Sequence, residues 1–160
     1  MSIERVRDYL KQWHIEDRIM EFSVSSATVE LAAEAVGCEA KRIAKTLSFK
    51  TEDQVLLIVT AGDAKIDSKK YKAQFHTKAK MLRFEEVESL VGHAVGGVCP
   101  FGVRDGVKVY LDESLKRFET VFPACGSDNS AIELTPAELE KYSAAEAWID
   151  VCKNWQDETE

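Results

Sequence analysis

The chain has 160 residues, 45% hydrophobic and 31% charged, enough for one domain over residues 1–160 with a real core. No window approaches the roughly 18 consecutive apolar residues of a membrane span, and the amphipathic start MSIERVRDYLKQW lacks a signal peptide's apolar stretch, so a cytoplasmic location is expected. The net charge of −7 argues against DNA as partner, but Lys65 to Arg83 holds seven basic residues and one acidic, a local +6 that leaves −13 elsewhere and can steer a phosphate backbone to one face.

The first segment sets Ile3, Val6, Leu10 and Trp13 on one stripe of an amphipathic helix, with Ser2 available as its cap. SSATVELAAEAVG predicts a second helix: Ser25, Ser26 or Thr28 can cap it, Val29, Ala32, Ala33 and Val36 share a face, and Gly37 suits the left-handed C-terminal position. A helical turn over 39–44 leads into KTLSFK and QVLLIVTA, two runs parted by a polar turn, which predict a β-hairpin. DSKKYKAQF reads as a helix capped by Asp67 or Ser68, and AKMLRF as a strand. FEEVESLVG reads as a helix with Phe84, Val87, Leu90 and Val91 on its apolar side and Gly92 as its stop. VKVYLD, the turn ESLKRF, ETVFPACG and AIELT then supply short strands. TPAE starts a last helix, with Thr135 and Glu138 spaced for a reciprocal cap and Pro136 where a missing N–H costs nothing; AEAWIDVC has strand character and WQDETE is an acidic tail. Elements interspersed in this way predict an α+β fold, with a mixed, partly barrel-like β-sheet and surrounding helices.

Chemistry has few places to sit. Cys38, Cys99, Cys125 and Cys152 contain no C-x-x-C pair, and His14, His76 and His93 are scattered, so neither a metal nor another cofactor is expected. In HAVGGVCPFGV, residues 93–103, Gly96 and Gly97 can present adjacent backbone N–H groups to an oxygen on which charge develops; the plain alternative is a turn. Cys99 and His93 make a nucleophile and base if the fold brings them within hydrogen-bond reach, whereas an isolated cysteine is more often a small buried hydrophobe. By the strand period Lys45 shares the face of Leu47 and Phe49, so it either snorkels from the sheet edge or projects into a ligand cleft. Asp63 and Lys65, after the next strand, border that cleft or form a turn.

IAKTL at 43–47, followed about fifty residues later by VGGVCPFG at 95–102, resembles the YbaK/EbsC family, also called the prolyl-tRNA-synthetase-associated domain. The likeness runs over nearly the whole chain and includes LLIVTAGDAKID and FPACGSDNSAIELTP. It implies an aminoacyl-tRNA deacylase that acts in trans on mischarged tRNA, typically tRNA(Pro) carrying Ala, Cys, Ser, Thr or a related small residue, without a metal or a protein nucleophile. It implies further that Lys45 contacts the 3′-terminal adenosine and its phosphate, and that Gly96 and Gly97 hold the aminoacyl carbonyl through their N–H groups. Ser25, Thr28 and Val29 are candidate lining residues, and Asp63, Cys99, Pro100 and Gly102 are expected beside the substrate. Charge alone nominates Lys65, Lys69, Lys70 and Lys72 as the face for the acceptor stem's phosphates, and the resemblance implies prolyl-tRNA synthetase as a second partner. The sequence departs from the family at Cys99, where serine is usual and a thiol is the weaker hydrogen-bonding group. Two other classes stay open: a non-catalytic module that binds a tRNA 3′ end or a nucleotide, and a Cys99 thiol enzyme.

Overall fold

The hairpin predicted from KTLSFK and QVLLIVTA organises the fold. The computed structural model describes residues 2–155; the Ser2 side chain and the acidic tail at 156–160 lie outside the described residues. In chain order the elements are α1 (Ser2–Leu10), β1 (Met20–Glu21), α2 (Val29–Val36), β2 (Ile43–Lys50), β3 (Val55–Ala61), β4 (Lys65–Ile66), α3 (Ser68–Phe75) and α4 (Phe84–Val91). They continue with β5 (Lys108–Asp112), β6 (Phe122–Pro123), β7 (Ser130–Ala131), α5 (Pro136–Ser143), β8 (Ala147–Ile149) and β9 (Cys152–Lys153). Helical turns at Lys11–Trp13, Glu16–Arg18, Ala40–Arg42 and Glu113–Arg117 join several of them.

The fold is α+β. β2 and β3 pair antiparallel from Ala44 opposite Ala61 to Lys50 opposite Val55. They sit inside a five-stranded sheet ordered β6-β2-β3-β5-β8, in which β6 runs parallel to β2, β5 to β3 and β8 to β5. A central strand flanked on both edges and packed on both faces needs an unbroken apolar run. β3 supplies one, with Leu56 to Val59 at most 1% exposed. β1 with β7 and β4 with β9 form short antiparallel ribbons.

Helix ends follow the predicted chemistry. Thr28 Oγ1 accepts the Leu31 N–H at 3.1 Å and Gly37 closes α2 at φ +85°; Asp67 accepts the Lys69 and Lys70 N–H groups at the start of α3. At α5 the Thr135 hydroxyl accepts the Glu138 N–H at 3.1 Å while the Glu138 carboxylate accepts the Thr135 N–H at 2.9 Å. Each such cap contributes about 1 kcal/mol by satisfying amides that the helix itself cannot.

Two expectations change. AKMLRF is not a ladder strand: it meets the sheet through one bridge, Met81 to Phe49, and two backbone hydrogen bonds to Lys50 and Ser48. Arg83 is already the cap of α4, which leaves the segment too short to extend. On α4, Val87 and Val91 are buried as predicted, but Phe84 is 76% exposed and Leu90 37%. Phe84 lies one turn before Val87, over a cavity rather than over the sheet.

Candidate functional site

β2 is partnered on its outer edge only at its ends, by β6 at Ile43 and Ala44 and by Met81 at Phe49. Between these pairings no strand among the described residues covers the edge, and a cavity of about 390 Å³ opens there. Its walls come from the start of α2 (Ser26, Ala27, Thr28, Val29, Ala32), from β2 (Ile43 to Ser48), and from Met81, Leu82, Phe84 and Val87. Val95, Gly96 and Val98 of the glycine loop, with Phe122, Ala124, Ser130 and Ala131, complete it. A mostly apolar concavity of this size suits a small ligand group held by a few polar contacts.

Lys45 is half-buried in this wall, and its ammonium forms no hydrogen bond or ion pair with any described residue. Burial pulls its ammonium below the ordinary lysine pKa, and this outweighs the favourable charge of Asp63 and the other acidic groups nearby. A lysine partly dehydrated without a partner is held ready for an anionic one. Its strand parity is as predicted: Leu47 and Phe49 share its face, and Phe49 packs on Tyr71 with ring centroids 5.2 Å apart. Thr46, of opposite parity, also borders the cavity, and its buried Oγ1 has no partner among the described residues; nor has Ser26 Oγ, with Ser26 8% exposed.

The two adjacent glycines do different things. Gly96, at φ +94°, lines the cavity, and its N–H has no partner among the described residues. Gly97 instead donates its N–H to the Ala94 carbonyl at 3.0 Å and lies off the cavity wall. Its backbone presses on the 126–127 turn so closely that a Cβ would sit 2.7 Å from the Gly126 carbonyl carbon and 2.8 Å from the Ser127 nitrogen. One glycine is needed for its conformation and the other for close approach.

The thiol pair does come together, and its geometry removes it from catalysis. Cys99 Sγ lies 3.6 Å from His93 Nε2, but both residues are fully buried. His93 Nε2 is also 2.7 Å from the Phe101 carbonyl, which can only accept, so that nitrogen carries the proton and has no lone pair for the thiol. Burial pushes the Cys99 thiol up to about 12 and lowers the His93 pKa, so both groups stay neutral near pH 7. A neutral, inaccessible thiol is a packing group.

Other expected residues fall as follows. Thr28 and Val29 line the cavity, whereas Ser25 is exposed and accepts the Ala27 N–H, its place on the wall being taken by Ser26. Asp63 is bound to Arg117 by two contacts at 2.5 and 3.0 Å, away from the wall. Cys99 faces the core, while Pro100 and Gly102 border a separate depression against α1, where the Arg5 guanidinium donates to the Gly102 carbonyl. Lys70 ties α3 to the C-terminal strands, with Nζ 3.0 Å from Asp150 and 2.9 Å from the Cys152 carbonyl. Lys65, Lys69 and Lys72 remain exposed without ion pairs among the described residues. The sequence reading missed Thr46, Phe122 and the exposed rim made by Met81, Phe84 and Val95; for Thr46 the signal was available, since it adjoins Lys45 on an edge strand.

Residues 24–142 match the model for the aminoacyl-tRNA editing domain. An uncharacterised protein of Bacillus subtilis (strain 168), YwhH, is 59% identical over 157 residues, covering 98% of this chain and 100% of that one. The proline–tRNA ligase of Shouchella clausii is 34% identical over 106 residues, 64% of this chain but 18% of the ligase, so the chain spans less than a fifth of that relative. A solved structure described as a candidate trans-editing enzyme for prolyl tRNA synthetase superimposes with a TM-score of 0.86 at 31% identity, covering 95% of this chain and 97% of that one. The hypothetical protein APE2540 superimposes with a TM-score of 0.79 at 26% identity, covering 91% and 99%. No helix among the described residues is long and apolar enough to cross a membrane.

Proposed function

Because the chain belongs to the aminoacyl-tRNA editing domain family, we propose that it hydrolyses the ester joining a wrong, small amino acid to tRNA, acting in trans on tRNA(Pro). The observation that carries this reading is one cavity bordered both by the half-buried, unpartnered Lys45 and by the positive-φ Gly96 loop. In this reading the aminoacyl group enters the cavity. Water adds to the ester carbon, negative charge forms on the carbonyl oxygen, and as the carbonyl re-forms the bond to the ribose oxygen breaks, with the proton lost by the water passing to that oxygen. The ester is already activated by the neighbouring ribose hydroxyl, so holding the carbonyl and placing the water supplies much of the rate.

Gly96 N–H, and Val98 N–H beyond it, are unpartnered beside the cavity and serve the carbonyl oxygen. Gly97, whose amide is already used, acts by seating the loop on the 126–127 turn. Lys45 meets the anionic end of the tRNA. The sequence relation to proline–tRNA ligases and the structural likeness to the trans-editing candidate support tRNA(Pro) and an accessory role to the synthetase. No step in this scheme calls for a metal or a protein nucleophile.

The test is release of amino acid from tRNA(Pro) charged separately with Ala, Cys, Ser or Thr. The expected outcome is hydrolysis of at least one species well above background, with Lys45→Ala about 100-fold slower. Background rates on every species would overturn the deacylase reading, and saturable, salt-sensitive binding without hydrolysis would make the protein a binding module instead.

A further inference from the structure

We propose that Phe84 is a stacking platform for an unpaired base at the RNA end whose ester enters the cavity, a role that rests on the deacylase reading above. Phe84 is 76% exposed, and with Met81 at 54% and Val95 at 49% it forms an apolar rim on the same cavity that Lys45 borders. A phenyl ring left in water at the mouth of a site has a face available for any base, and aromatic stacking is how proteins ordinarily grip unpaired RNA bases.

Charge favours RNA over a protein helix as the occupant. Lys78 and Lys80, in the segment leading to Met81, are exposed and form no ion pair among the described residues, and Lys72 lies shortly before them. The carboxylates beside Phe84 are compensated: Glu86 by Lys50 at 2.7 Å and Arg83 at 3.3 Å, and Glu85 by Arg83 at 3.7 Å. Glu88, one turn further along α4, has no such partner, so the phosphates run on the Lys78 and Lys80 side of the ring and away from the helix.

The test uses an uncharged acceptor-stem microhelix with 2-aminopurine as its 3′-terminal base. Binding to the intact protein is followed by fluorescence quenching, beside hydrolysis of mischarged tRNA. Phe84→Ala and Phe84→Leu are expected to bind roughly five- to 150-fold more weakly and to lose the quenching, and Phe84→Trp to restore both. Lys78→Glu with Lys80→Glu is expected to weaken binding and flatten its salt dependence. Leucine as good as phenylalanine would overturn stacking in favour of plain apolar contact. Failure of the wild-type protein to bind the microhelix would overturn it in favour of a protein partner for the rim. If Phe84→Ala hydrolyses mischarged tRNA with the wild-type KM, the stacking role falls while the deacylase reading stands; if the wild type hydrolyses nothing yet Phe84-dependent quenching persists, the deacylase reading falls alone.

Discussion

The two sides of the glycine loop carry opposite kinds of residue. Its front, Val95, Gly96 and Val98, borders the cavity and offers backbone and small apolar groups. Its back, His93, Cys99 and Phe101, is entirely buried and holds the side chains that look reactive on paper. The difference shows that a reactive residue type is not a reactive group: burial raises the thiol pKa and lowers that of the imidazole, whose one N–H is committed to the Phe101 carbonyl. An unpartnered backbone N–H beside a cavity is the more available donor.

Substitutions on the two sides test this contrast, beginning with the largest effect. Gly97→Ala drives a methyl into backbone that cannot yield, so about 1–3 kcal/mol of stability is expected to go. Thermal unfolding should show it as a Tm lower by roughly 3–10 °C, with hydrolysis falling as the loop shifts. Cys99→Ala should cost about 1–2 kcal/mol through lost packing yet keep hydrolysis within a few-fold, and Cys99→Ser should likewise stay active. A thiol enzyme would lose its activity in both variants, and it would also be inactivated by an alkylating reagent that the buried native Cys99 should resist.

Gly96→Ala sharpens the contrast between neighbours. Its Cβ would make only ordinary contact, 3.5 Å from Asp128 Cβ, but at φ +94°, so about 1 kcal/mol is expected from conformation alone. A Gly96→Ala loss as large as that of Gly97→Ala would break the assignment of separate jobs to the two glycines. The smallest effect concerns the cavity rim, which is pinned by charge where the loop's back is held by packing. Lys50 and Arg83 hold the Glu86 carboxyl down at about 2, against an ordinary 4.5. The stability this contributes is present above pH 4.5 and is lost as pH falls toward 2. Glu86→Gln should therefore flatten the dependence of unfolding on pH in that window, and an unchanged acid limb would count against the pairing.

Periodicity and capping rules read the helices and the central hairpin well, because those signals are local. Thr28, Asp67 and the Thr135–Glu138 pair cap as their spacing requires, and Ala44 to Lys50 pairs with Val55 to Ala61. Lys45 and Gly96 were legible as candidates because a cation on an apolar strand face and a paired glycine are local anomalies. Tertiary placement accounts for the misses. Phe84 has the right period to be buried but lies at a helix start that overhangs the cavity, and Asp63 and Lys70 look free until Arg117 and Asp150 are brought to them from far along the chain.

What the sequence alone determined is therefore the helices, the central hairpin, the caps at Thr28, Asp67 and Thr135, and Lys45 and Gly96 as candidates, since each depends on neighbours within a few positions. Tertiary structure alone decided which face of HAVGGVCPFGV borders the cavity, which of its two glycine amides is free, and that Cys99 and His93 meet as buried, neutral groups. Those outcomes turn on burial, on proton ownership and on contacts with the 126–127 turn some thirty residues away. No local pattern encodes them.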